Sequence, residues 1–176
     1  MNQPAPGDRD AFGLLVAQHH RRLFGLVLMM VRDPSGAEEL TQEAFLRAYT
    51  HFDRYDVSRP FYPWLATIAV RLAQNWLHRH ARTAGRETTS LDDVLPPTAP
   101  GHALDALIDD ERARRLWRAV AGLPSGERTA VYLHYRQEMN VTDVARALGV
   151  TSGTVKTLLF RARRKLRQTC ADEDVK

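Results

Sequence analysis

The sequence predicts an all-α protein made of two small helical domains joined by a flexible linker. Apolar residues recur at helical spacing in nearly every informative segment, and no strand-like alternation or hairpin turn competes with them. That pattern stops from Thr83 to Gly101, "TAGRETTSLDDVLPPTAPG", which holds three prolines, two glycines and no sustained period. A chain of 176 residues is long enough for two small domains, and no internal repeat is visible. The predicted division is a first domain over 8–82, a linker over 83–103 and a second domain over 104–170.

Phe12, Leu15, Val16, Leu23, Leu26, Val27 and Met30 fall mostly on one stripe of a first helix, which Asp33-Pro34 ends. Ser35 with Glu38 three residues later reads as a capping box that opens a second helix. Its inner face carries Leu40, Ala44, Phe45, Ala48, Tyr49 and Phe52. A polar connection, "DRYDVSRPFYP", leads to a third amphipathic helix marked by Trp64, Leu65, Ile68, Ala69, Leu72 and Trp76. Beyond the linker, helical spacing resumes at Leu104, Leu107 and Ile108 and runs through Leu116, Trp117 and Val120 to Leu123-Pro124. Ser125 is placed to cap a helix through Val131 and Leu133, and Asn140 with Asp143 to cap "VTDVARALGV".

Charge is uneven along the chain. Residues 1–82 carry a net +2, residues 83–122 a net −2, residues 123–170 a net +6 and the tail a net −2. A basic C-terminal module fits a polyanionic partner; charge alone fits a solvated basic helix equally well. No run approaches the length of a membrane span, so no direct membrane insertion is expected. The N-terminus "MNQPAPGDRD" lacks a basic segment followed by an apolar core, so no secretory signal is expected and a cytoplasmic protein is the plain reading. Cys170 is the only cysteine, which excludes a disulfide framework or a cysteine-based zinc site within one chain. Neither a metal nor a cofactor is expected.

The last fifth of the chain is the most specific. "LGVTSGTVKTLLFRARRKLR", Leu148 to Arg167, carries six cations and no acid. Two short helices separated by Gly149-Val150-Thr151 have the layout of a helix-turn-helix. Val144, Ala145 and Leu148 point inward from the first, Val150 plugs the turn, and Val155, Leu158, Leu159, Ala162 and Leu166 line the second. Gly149 suits the left-handed end of a helix, and Thr151 suits an N-cap. What remains outside is Lys156, Thr157, Phe160, Arg161 and Arg164, one helix face of cations, a hydroxyl and a phenyl ring. Such a face can meet phosphates, guanine edges and thymine methyls in a major groove. Gly153 allows close approach, and the free amides of the helix start can hold a phosphate. With Ser152 and Thr154 at that start, these residues form the candidate duplex-reading set.

The first domain adds two further features. Its second helix exposes Glu38, Glu39, Gln42 and Glu43 together, an acidic patch that suits protein docking rather than DNA. The segment after it interleaves Tyr55, Phe61, Tyr62 and Trp64 with Arg54, Arg59 and Arg71, a combination suited to unstacked bases on rings with cations along a backbone. Trp64 and Trp76 read as core, and Tyr55 on the loop side reads as the ring that touches a base.

"AEELTQEAFLRAY", "FDRY" and "FYPWLATIAVRLAQNWL" resemble conserved region 2 of the extracytoplasmic-function (ECF) sigma factors of the sigma-70 family. "LPSGERTAVYLHYRQEMNVTDVARALGVTSGTVKTLLFRARRKLR" resembles their region 4. The resemblance covers roughly residues 8–82 and 104–168 in the family's order. It implies a region 2 helical bundle and a region 4 helix-turn-helix that bind core RNA polymerase and promoter DNA and direct transcription initiation. Glu39, Gln42 and Glu43 match positions that dock on the β′ clamp helices, and the β flap is the contact implied for region 4. Tyr55 matches an aromatic that helps hold a flipped base, and the implied −10 set is Tyr55, Arg59, Arg71 and Asn75. Lys156, Thr157, Phe160 and Arg161 match the −35 reading positions, the face already reached from periodicity. An anti-sigma factor is the further partner the family implies.

Three positions depart from the family's pattern. Arg71 stands where relatives often carry an asparagine, and a guanidinium cannot reproduce an amide's paired donor and acceptor. His134 stands where an arginine that contacts phosphate or base is often found, and "MNQPAP" stands where an opening helix is common. The alternative is a stand-alone operator-binding regulator, which explains the basic helix but neither the acidic patch nor the aromatic-basic loop. An enzyme is not expected, since there is no Gly-rich phosphate loop, His-Glu-x-x-His or nucleophile elbow. His78 and His80 diverge on a helix and read as phosphate neighbours or plain surface rather than metal ligands, and His19-His20 and Cys170 read the same way.

Overall fold

In the computed structural model, which describes residues 9–83 and 111–173, α1 spans Arg9–Val31. Phe12, Leu15, Leu23, Leu26, Val27 and Met30 are buried, as their spacing predicts. Leu28, Met29 and Val31 are buried too, so the end of α1 is enclosed all round rather than along one stripe. The reason is tertiary: α2 (Pro34–Thr50) and α3 (Phe61–Thr83) cover one side, and helices of the second bundle approach the other.

α2 begins earlier than the expected capping box. Asp33, with extended backbone, accepts the Gly36 N–H at 2.8 Å, and Pro34 occupies the first helical position. Proline's fixed φ suits that position, and its missing N–H is one the helix start would leave unpaired anyway. Ser35 therefore sits inside the first turn, and Glu38 reaches His20 at 3.6 Å instead of folding back. Gly36 admits close contact with α3: a Cβ there would lie 3.0 Å from the Trp76 ring. A short 3-10 turn, Phe52–Arg54, then delivers the loop to α3.

α3 buries two stripes. Leu65, Ala69 and Leu72 lie on the predicted one; Ala66, Val70, Ala73 and Leu77 form the other, because α3 packs against the second bundle as well as against α1 and α2. The expected linker beyond Thr83 and the apolar residues at Leu104, Leu107 and Ile108 lie outside the described residues, as does the "MNQPAP" start.

The second bundle comprises α4 (Glu111–Ala121), α5 (Ser125–Val131), a π-helical turn (Tyr132–Arg136), α6 (Val141–Leu148) and α7 (Ser152–Glu173). Ser125 does not cap α5: Pro124 holds the cap position without a side-chain bond, and Ser125 is buried in the first turn. The α6 cap is as expected, with Asn140 Oδ1 accepting the Asp143 N–H at 2.9 Å. Gly149, at φ +70, ends α6, and the Thr151 hydroxyl accepts the Thr154 N–H at 3.1 Å to open α7. Val150 does not plug the turn; it is 38% exposed. Its N–H donates to the Ala145 carbonyl at 3.0 Å, so the backbone closes the turn and the side chain faces out.

α3 packs along α6, α1 approaches α5, and the buried apolar residues of both bundles form one contiguous core. Within the first bundle, His19 is buried against the rings of Phe61 and Tyr62, with centroids 5.6 Å away in both cases. Burial, and secondarily the Arg22 charge, holds its pKa below the usual histidine value. A depressed folded-state pKa means the unfolded chain takes up the proton first. Stability is then full above the ordinary histidine pKa and falls as pH drops through and below it, by at most about 1.4 kcal/mol per pH unit. Thermal melts between pH 7.5 and 5 should show this decline for the wild type and a shallower one for His19→Gln. Parallel pH curves would remove His19 as the cause.

Candidate nucleic-acid interface

α7 separates two faces. Val155, Leu159 and Ala162 are buried, with Leu158 and Leu166 partly so, and they hold the helix to its bundle. Opposite them, Lys156, Thr157, Arg161 and Arg164 are exposed and Phe160 is 62% exposed. Burial leaves the predicted outer face intact. Ser152, Gly153 and Thr154 are exposed at the helix start, where unpaired amides and the positive end of the helix dipole favour an anion. The Thr157 hydroxyl donates to the Gly153 carbonyl at 3.1 Å, which leaves its lone pairs for an incoming donor.

Not all six cations face outward. Lys165 Nζ pairs at 2.9 Å with Glu127, a buried carboxylate on α5, and so ties α7 to its own bundle. Arg163 Nε donates to the Leu159 carbonyl at 3.2 Å. Among the described residues, Lys156, Arg161 and Arg164 have no acidic partner, so their charge is unspent within the fold. His134 Nδ1 lies 2.8 Å from the Met139 carbonyl, so one ring nitrogen is engaged within the bundle.

On α2, Glu39 and Gln42 are exposed and Glu43 is half-buried. Gln42 donates to Glu38 at 3.0 Å, and Glu43 pairs with Arg47 at 2.6 Å. Leu46, 60% exposed, continues the same face one turn on. Sequence reasoning passed over it because α2's buried stripe accounts for leucines in general; its spacing from Gln42 and Glu43 is the signal that could have found it.

The loop after α2 departs from expectation at Tyr55. Its ring is only 5% exposed, stacked on Phe52 at 5.6 Å and packed against Phe61 and Trp64 at 5.4 and 5.2 Å. Its hydroxyl donates to the Arg59 carbonyl, and burial, then the Asp56 charge, raises its pKa. In this conformation Tyr55 pins the loop to an aromatic cluster and offers no ring face to a base. Trp64, expected to be core, is only partly buried beside it. Arg59 is exposed and lies 3.3 Å from Asp56. Asp56 is held below the usual carboxylate range first by the Ser58 hydroxyl and N–H, then by Arg59. Arg71 and Asn75 are exposed one turn apart on α3. His80 stacks on Trp76 with centroids 3.6 Å apart, a structural role. Within the described residues no helix is long and apolar enough to cross a membrane.

Comparison with known proteins fits these surfaces. Residues 15–83 match sigma-70 region 2, and residues 113–166 match sigma-70 region 4. The ECF RNA polymerase sigma factor SigW of Bacillus subtilis is 30% identical over 98% of this chain and 95% of its own length. The chain belongs to the ECF sigma factors of the sigma-70 family. SigM of Mycobacterium tuberculosis is 34% identical over 91% of this sigma factor and 77% of its own length. The sigma factor RpoE from Bartonella quintana, solved with the anti-sigma factor NepR, shares the fold with a TM-score of 0.67 at 23% identity over 89% and 94% of the two chains. As a sigma factor, the chain directs promoter-specific transcription initiation, which sets aside the stand-alone operator-binding alternative.

Proposed function

We propose that this sigma factor has no chemistry of its own and chooses promoters for a polymerase that supplies the catalysis. α2 docks on the β′ clamp helices through Glu39, Gln42, Glu43 and Leu46, an acidic face with an apolar end. α7 reads the −35 duplex with Lys156, Thr157, Phe160 and Arg161, while Ser152, Thr154 and Arg164 hold phosphates; the β flap positions this bundle on the enzyme. Arg59, Arg71 and Asn75 line the path of the unpaired −10 strand. Tyr55 takes part in base capture only if the loop moves. Tethering both domains to one promoter raises their effective concentration, so neither needs high affinity alone. An anti-sigma factor is the partner proposed to hold the protein inactive; RpoE's complex with NepR supports that reading.

The observation that carries the proposal is the coexistence, on opposite bundles, of an exposed cationic-aromatic recognition helix and an acidic-apolar docking helix. Run-off transcription on a promoter library tests it, with purified bacterial core polymerase and this chain added or withheld. Sequence-selective transcripts appear only with both. Absence of core binding, or transcripts that do not depend on the added chain, would overturn the assignment of these surfaces.

A further inference from the structure

We propose that Glu127, buried on α5 away from the outer face of α7, is a positioning residue for −35 reading: through Lys165 it fixes the rotation of α7, and so where Thr157 and Arg161 point. The pair is short and lies inside the bundle. Lys165 Nζ stands 2.9 Å from Glu127 Oε1, and the Glu127 side chain is 7% exposed against 42% for Lys165. Thr157, Arg161 and Lys165 follow one another at four-residue steps, so they lie on one line along the helix. The first two members of that line are exposed and the third is turned in. A bond to Lys165 therefore acts on the same line of side chains that carries the duplex-reading hydroxyl and guanidinium.

The rest of the α5–α7 contact is apolar. α5 lies along α7, and a Cβ on Gly126 would meet Leu158 at 3.6 Å. Val155, Leu159 and Ala162 are buried on the inner side of α7. Apolar burial is non-directional, and Ala162 offers no long side chain to lock a rotation. A charge-assisted hydrogen bond is directional. Stability alone does not explain the pair, because Glu127 Oε2 is buried and meets no hydrogen-bond donor among the described residues. Part of the carboxylate's acceptor capacity is thus desolvated and unused, which is unfavourable. A buried ion pair often adds little stability over apolar residues of the same volume, whereas its geometry can select one arrangement among several. Here the arrangement selected is the rotation of the recognition helix.

Rotation matters because a side chain that reads a base edge tolerates little error. A binding constellation works within about 0.5 Å and about 10–20° of its productive geometry. The Thr151 hydroxyl caps the start of α7, and the Glu127–Lys165 pair holds the helix about four turns on. Lys156, Thr157, Phe160 and Arg161 lie between those two fixed points. Losing the second point blurs base reading. Phosphate contacts, which carry no sequence information, change little. The positioning role rests on the −35 function proposed above; the pair itself does not.

Fluorescence anisotropy with the full chain on preferred and scrambled −35 duplexes tests this, beside thermal melts and a salt series. Glu127→Met/Lys165→Met replaces the pair by apolar side chains of similar length and should melt near the wild type. Its preferred-to-scrambled affinity ratio should fall about tenfold or more, the loss of one base-edge contact, with scrambled affinity held within about twofold. Lys165→Arg, which keeps a cation for Glu127, should hold the ratio within about threefold of the wild type. A stable double variant that discriminates as well as the wild type overturns the positioning role. So does an equal loss on both duplexes with a salt slope flattened by about 0.9, which makes Lys165 a phosphate contact. If the double variant melts early, Glu127→Gln decides, since it keeps the shape and drops the charge. A ratio lowered severalfold there upholds the role, and an unchanged one overturns it. A wild type that binds both duplexes alike overturns the −35 reading itself, and the positioning role with it.

Discussion

Arg161→Ala is expected to remove base discrimination at the −35 duplex. Affinity for the preferred sequence falls about 10- to 100-fold, the range of about 1–3 kcal/mol expected for a well-placed base-edge contact, while affinity for scrambled duplex falls far less. Arg164→Ala makes the contrast, because a phosphate contact weakens all sequences about equally. With Lys165 held by Glu127 and Arg163 turned to the Leu159 carbonyl, four cations of α7 remain to meet DNA, for an expected log–log salt slope of about −3.6 for the second bundle's binding. Losing Arg164 should flatten that slope by about 0.9. Fluorescence anisotropy over a salt series, on preferred and scrambled duplexes, reads both quantities. Equal losses on the two duplexes for Arg161→Ala would make it a phosphate anchor and move base reading elsewhere on the helix.

Leu46→Asp is expected to weaken core polymerase binding about 30-fold, or about 2 kcal/mol, the scale of a central apolar contact in a protein interface. Leu46 is largely exposed in the free chain, so the substitution leaves the first bundle's stability nearly unchanged. Glu43→Lys acts by a different route: it loses the pair with Arg47 and places two cations one turn apart. A competition assay against labelled sigma factor on core enzyme separates them, since only the Glu43→Lys defect should grow as salt is lowered. Full affinity in both variants would place the docking surface off α2.

The recognition helix was legible because its evidence is local. Gly149, Thr151 and the Val155–Leu159–Ala162 spacing set the turn, the cap and the buried side, and Phe160 and Arg161 follow as what is left outside. α2's acidic face was legible for the same reason. Where expectation failed, a non-local contact or a competing local choice decided. Ser35 lost the cap to Asp33 once Pro34 took the first helical position. Tyr55 reads as a loop aromatic in sequence, yet Phe52, Phe61 and Trp64 converge on it from two other segments and bury it.

Read alone, the sequence determined the helical class, the helix-turn-helix and the side chains each amphipathic helix presents outward. Periodicity, capping and composition act within a turn or two of the chain and need no partner to be read. Tertiary structure alone decided the all-round burial at the end of α1, the second buried stripe of α3, the withdrawal of Lys165 from the outer face of α7 and the two arginine contacts between bundles. Each of these joins residues tens of positions apart, from 38 for Glu127 and Lys165 to 115 for Arg22 and Gln137. No local pattern encodes such a pairing; it exists only once the chain has folded and shape, charge and burial are satisfied together.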